Sequence, residues 1–290
     1  MKRPGRDPTR RNRNIGTKKQ GHGDDNRNVV PRLWRESVWE WRRTPGSSVV
    51  HRMVWGRDMP FLVEPTREDC WYACTIDDVA RMLNLLPKRH INNCRDVSGV
   101  QGIIFRQPTH KEEQLAGVWG RIGYAVEVGR AIGPVIQLTA NPAPFRRKWS
   151  RHLGPVDRRE LERLQRASTT HTSDGRHHRL EFDLDAIRRV QLFFTLPHEV
   201  GHWADMYENV EIPTLDADFD FGVWQEAWDR YFQRPNEQRE EFANRYAEAA
   251  IARLTESGQV PYPRIFDLDQ LNEDGLRRED FLPDSEITEA

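Results

Sequence analysis

His198 and His202 stand four residues apart with Glu199 between them, in Phe193-Phe194-Thr195-Leu196-Pro197-His198-Glu199-Val200-Gly201-His202. On a helix this spacing puts both imidazoles on one face, one turn apart, where both can reach one metal ion. Glu199 then lies beside the metal and can take a proton from bound water, which points to hydrolysis. Phe193, Phe194 and Leu196 make the preceding turn apolar, so the pair belongs where a core meets a cleft. The competing reading is two satisfied histidines on a structural helix. Pro197 conflicts with a regular helix, because it has no N–H to give to the Phe193 carbonyl. Either the helix kinks there or it begins just before His198.

A catalytic zinc site normally has a third protein ligand and one position left for water. Glu240 is the candidate, in Arg239-Glu240-Glu241-Phe242-Ala243-Asn244-Arg245-Tyr246-Ala247. It shares a helix side with Ala243 and Ala247, whose small side chains would let this helix approach the histidine helix closely. Glu241 is the alternative ligand. Asp205, three beyond His202, reads either as an acceptor that orients one imidazole or as an ordinary polar residue at a helix end. Tyr207, Tyr246, His177 and His178 are candidates for a further donor near the developing oxyanion. Zn²⁺ suits the mixed nitrogen and oxygen set.

The rest of the chain is less specific. Its net charge of -1 hides an asymmetry: through Arg32 there are ten Lys/Arg against Asp7, Asp24 and Asp25, +7 in all, leaving -8 elsewhere. Residues 1–32 read as a disordered basic tail: a solubilising segment, a nucleic-acid contact or an intramolecular contact with the acidic C-terminus. Residues 33–48 read as an aromatic linker, with Trp34, Trp39 and Trp41 as a helix or clamp. A helix capped by Thr66 is expected to stop by Leu86-Pro87. A second, with the capping box Thr109-x-x-Glu112, carries Trp119 and Ile122 on its apolar stripe and ends at Gly123. Strands are expected at Tyr124–Val128 and Pro134–Thr139, the latter by default a simple buried strand and available to pair with a peptide only if it lies at a sheet edge. Residues 141–180 read as an insertion or flexible loop holding one helix near Pro155–Leu164, and residues 267–290 as an acidic tail. Cys70, Cys74 and Cys94 are too sparse for a disulfide scaffold and lack a knuckle spacing, so buried thiols are expected. The ten tryptophans read as packing. With no run of 18 apolar residues and no apolar stretch after Met1, neither a membrane span nor a secretory signal is expected, and the chain reads as cytoplasmic.

Phe194-Thr195-Leu196-Pro197-His198-Glu199-Val200-Gly201-His202 resembles the Phe-Thr-Leu-Ala-His-Glu-Leu-Gly-His signature of the IrrE/ImmA-like metallopeptidases. Glu240 to Ala247 is similar to that family's Glu-x-x-Ala-Asn-x-Phe-Ala. The resemblance implies an α+β, zincin-like, helix-rich fold with a small mixed sheet over residues 49–266. It also implies His198, His202 and Glu240 as zinc ligands, Glu199 as the catalytic residue, and a specific cytosolic protein, such as a repressor or regulator, as substrate. Pro197 stands where the family has a small residue, and no helix-turn-helix is evident. The alternative function is a zincin-like interaction or nucleic-acid-associated module of a phage or mobile-element system that does not hydrolyse its partner.

Overall fold

A computed structural model of the chain describes residues 39–40, 44–92, 99–108, 119–128, 131–150, 152–215 and 220–282. The basic tail, most of the aromatic linker, residues 109–118 of the second expected helix, Cys94 and residues 283–290 therefore lie outside the described residues. The fold is mixed α+β. It divides into a larger unit, Trp39–Asp205 with Glu240–Ala290, and a smaller one that includes Met206–Arg239.

The larger unit carries a six-stranded sheet in the order β1 (Trp39–Glu40), β5 (Gly120–Val128), β6 (Ala131–Thr139), β4 (Gly102–Arg106), β3 (Arg57–Val63), β2 (Ser48–Val54). A two-residue turn joins β2 to β3 through Trp55 and Gly56, with φ of 49° and 76°, the positive pair that matches strand twist. Trp55 holds this strained conformation by anchoring both ends of itself. Its N–H donates to Asn84 Oδ1, and its indole N–H reaches the carbonyls of Leu83 and Leu86, at the end of helix Ile76–Leu85. Strand β4 is buried throughout and parallel to both neighbours, as a central strand covered on both faces must be.

Several expectations are corrected here. The cap of the Ile76–Leu85 helix is Thr75, whose hydroxyl accepts from Asp78 N–H while Asp78 accepts from Thr75 N–H. Thr66 instead donates from N–H and hydroxyl to Asp280. Gly120 to Gly123 belong to β5, so Ile122 is a strand residue and not the end of a helical stripe. Strand β6 is no edge: it pairs with β4 on one side and β5 on the other. Residues 141–180 are not a flexible loop. They contribute to a second sheet, β7 (Phe145–Ser150), β9 (His177–Phe182), β8 (Thr170–Ser173), backed by helix Pro155–Ala167. Trp149, Leu161, Leu164, Leu180 and Phe182 form its core with Ile187. Nor is the acidic end a loose tail through Leu282: helix Leu268–Glu273 and a turn at Arg278–Asp280 bring Phe281 into the core, fully buried.

The smaller unit stacks aromatic side chains along helix Phe221–Gln233, capped by Asp220, with Trp224 on Trp228 at 5.0 Å and Trp228 on Phe232 at 4.6 Å. Trp224 also donates its indole N–H to Glu211. None of the described helices is long and apolar enough to cross a membrane.

One ion pair ties three parts of the larger unit together. Arg188 donates from Nε and Nη2 to the two oxygens of Asp78, 2.8 Å each, and its remaining donors reach the carbonyls of Tyr262 and Pro263. Asp78 also accepts from the Ile265 N–H, and both residues are buried. Removing one partner strands the other charge without water. D78N or R188M should each lose about 3–5 kcal/mol of stability in urea unfolding, while a D78L/R188M double variant recovers much of it.

Candidate metal centre

The ligand helix, Leu196–Met206, continues from a shorter helix, Leu184–Val190, that starts at the Asp183 cap. Between them is a π turn, Gln191–Thr195, closed by the Leu196 N–H donating to the Gln191 carbonyl five residues back. This turn is the local answer to Pro197. In an α-helical ladder the proline ring would meet the carbonyl four residues earlier, and a π turn widens the ladder just upstream of it. The α-helical stretch thus begins two residues before His198, while the chain stays helical through the conflict.

Three features fix the position of this turn and helix. Gln191, buried, donates its amide to the carbonyls of Trp119 and Thr139, both at 2.8 Å, which pins the π turn to the ends of β5 and β6. A Cβ on Gly120 would sit 2.8 Å from Thr195 Cγ2, so only glycine lets β5 pass the turn. A Cβ on Gly201 would lie 3.0 Å from Ala243 Cα and 3.0 Å from Tyr246 Cβ, so the ligand helix and helix Asn236–Glu256 meet almost backbone to backbone. The alanines on the second helix are legible as small residues; Gly201 is the matching half that the sequence reading passed over.

That close approach carries Glu240 to the histidines. Its Oε2 is 3.4 Å from His198 Nε2 and its Oε1 is 3.6 Å from His202 Nε2. One donor atom from each of the three residues lies within 4.8 Å of the others, and among the described residues no other trio of metal-binding side chains does so. With bonds of about 2.1 Å, two ligand atoms on a tetrahedral zinc lie about 3.4 Å apart. The two separations, one to each carboxylate oxygen, are close to that edge, so the trio could hold such an ion. The Glu240 side chain is 40% exposed against 13% and 10% for the histidines, so solvent reaches the trio from the glutamate side.

Glu199 is buried beside the trio, and burial pushes its carboxyl up from the ordinary range. The neighbouring histidines, and the Ile122 N–H that donates to it, offset part of that rise. Burial also acts on Glu240, but there the contacts from both imidazoles win and hold the carboxyl far below the usual range.

His198 has an unexpected neighbour. Its Nδ1 is buried with no hydrogen-bond partner among the described residues, and Phe194 stacks on its ring at 5.6 Å. Phe194 in turn lies under the Arg163 guanidinium, 3.3 Å from Cζ to the ring centre. Neither role has a sequence signal, since Arg163 sits 35 positions away on a separate helix.

The remaining candidates fall elsewhere. Glu241 is exposed and outside the trio, and Asp205 is buried one turn beyond His202. The Tyr246 hydroxyl bonds His90 Nδ1 at 2.9 Å. His178 pairs with His171 and His177 approaches Asp174, both within the second sheet's strands and turn. Tyr207 is buried and belongs to the smaller unit. Cys70 and Cys74 are buried. Comparison with family models, curated proteins and solved structures finds no match to this chain.

Two outcomes follow from these contacts. G201A should force the two helices apart by a few tenths of an ångström and weaken zinc binding about 10–100-fold, read by competition with a chelating dye. His90 is held down to about 4 from 6.5, chiefly by burial and also by Arg89. The unfolded chain then binds a proton that the folded chain refuses, so stability falls as pH drops from about 6.5 to about 4. In urea melts across that window, H90Q should show a shallower loss than the wild type.

Proposed function

We propose that this chain is a zinc-dependent endopeptidase of the IrrE/ImmA-like, zincin type, acting on a specific protein in the cytoplasm. The observation that carries the reading is the convergence of His198, His202 and Glu240 beside a buried glutamate. A zinc ion held by these donors would supply Lewis acidity to a scissile carbonyl and make a water molecule easier to deprotonate.

The chain's own groups supply the rest. Glu199, desolvated and so more basic than a surface carboxylate, takes the proton from the attacking water and returns it to the leaving amine. The Ile122 N–H fixes the direction of that carboxylate. Strand β5 supports a peptide substrate in particular: among the described residues β1 pairs with it at Val126 and Glu127, and Ile122, nearer the site, turns its N–H toward Glu199. An extended chain laid along this side of β5 would pass the trio.

Metal analysis combined with variants tests this directly. The purified protein should hold one zinc per chain, H202A should lose it, and E199Q should keep it while proteolysis of its substrate falls about 10²–10⁴-fold. A native protein that binds no metal would end the proposal.

The exposed face of the second sheet favours a second reading, a nucleic-acid-associated module. Arg146, Lys148 and Arg179 stand side by side there among Thr170 and Thr172. Glu181 and Asp174 compensate two of the three cations, which weakens this alternative. A strongly salt-dependent affinity for short DNA or RNA, unaffected by E199Q, would favour it.

A further inference from the structure

Arg163 is the least satisfied cation near the metal centre. Its Nε is shut off from water and has no hydrogen-bond partner, and no carboxylate among the described residues pairs with it. Glu160, the nearest in sequence, is engaged 3.0 Å from Arg147 Nη1. Glu248 contributes only a through-space attraction. Burial lowers the pKa of Arg163 to about 10, which still leaves it charged at neutral pH.

A structural arginine ordinarily uses its five donors on carboxylates or carbonyls. Here the guanidinium carbon sits over the Phe194 ring, 3.3 Å from its centre, a cation–π contact that holds the group beside that ring. Phe194 is also the ring against His198, 5.6 Å between centroids. Those two distances bound the separation: Arg163 Cζ lies no more than 8.9 Å from the centre of the His198 ring. Successive residues of an extended peptide are about 3.3 Å apart. A carboxylate within a residue or two of a bond cleaved at the metal centre is therefore within reach.

We propose that Arg163, held over Phe194 next to the His198 ring, is a subsite for a peptide carboxylate and sets a preference for acidic substrates. The proposal rests on the endopeptidase reading for its role, but the charge recognition does not depend on turnover. The guanidinium would receive the carboxylate through its two outer Nη groups, because Nε is shut off from water. The carboxylate is either an internal Asp or Glu side chain or a free C-terminus.

Binding to zinc-loaded E199Q, measured by calorimetry, tests the subsite without hydrolysis. Three hexapeptides serve as probes: one acetylated, amidated and containing Glu; its Gln counterpart; and the Gln peptide with a free C-terminal acid. The Glu peptide, or the free-acid peptide if the C-terminus is the source, should bind about tenfold more tightly than the neutral one. R163Q should abolish the difference with zinc stoichiometry unchanged, and R163K, which keeps the charge but loses the fork, should retain part of it. Equal affinities for all three probes, or a difference that survives R163Q, would overturn the proposal. Cleavage of a randomised decapeptide library by the wild type separates the two readings. Arg163-dependent binding without any cleavage removes the peptidase and keeps the subsite. Cleavage with no acidic preference removes the subsite and keeps the peptidase.

Discussion

The Asp78–Arg188 pair is the contact on which the larger unit turns. Asp78 sits in the first turn of the helix that packs on β2, and Arg188 lies on the helix that leads through the π turn into the ligand residues. Around them close the Tyr262 and Pro263 carbonyls, the Ile265 N–H and the Tyr262 hydroxyl, which donates to the Asp78 carbonyl. A charge pair this deep adds little net stability over an apolar pair of the same shape, but it tolerates only one arrangement of its neighbours. The direction in which the ligand helix leaves Val190, and the return of the chain after Pro261, are thereby set by one pair of complementary forks.

The candidate metal centre draws its geometry from rigid elements rather than from loops. The ligand helix is pinned to the sheet by Gln191, held against its partner helix at Gly201, and passed closely by β5 at Gly120. Each fastening uses a group with no freedom to drift: a buried amide between two carbonyls, or a glycine without a side chain. Glu199 is enclosed among them, and the Ile122 N–H limits its orientation.

The helices around the centre were largely legible in the amino-acid sequence, and the sheet only in part: the strands expected at Tyr124–Val128 and Pro134–Thr139 lie within β5 and β6. Asp183, Asn236 and Pro235 mark helix starts, and the 3.6-residue recurrence of apolar side chains carries through to Val200 and Ala247. Strands β3 and β4 went unread because their side chains lack alternation: Ile103, Ile104 and Phe105 are buried in succession, a pattern that a short run shares with a core helix. Thr66 was mistaken for a cap because Thr-x-x-Asp looks the same on paper in Thr66–Asp69 and Thr75–Asp78, and the local chemistry cannot rank them. The folding of residues 141–180 was hidden by their many cations, which line an exposed face over a thin apolar core of Trp149, Leu161, Leu164 and Leu180. In the site, residues linked by spacing could be proposed together. Phe194 and Arg163, linked only through space, could not.

The backbone contact between Gly201 and Ala243 has a consequence in chain statistics. It closes a loop of roughly 40 residues, and closing such a loop restricts an unfolded chain by about 4 kcal/mol of entropy. Apolar packing of small residues offsets that restriction, whether or not an ion is present. His202 and Glu240 consequently face each other as neighbours rather than as the ends of a long tether. An ion bound between them would meet a local chelator, and its affinity would report the donor atoms more than the cost of gathering them.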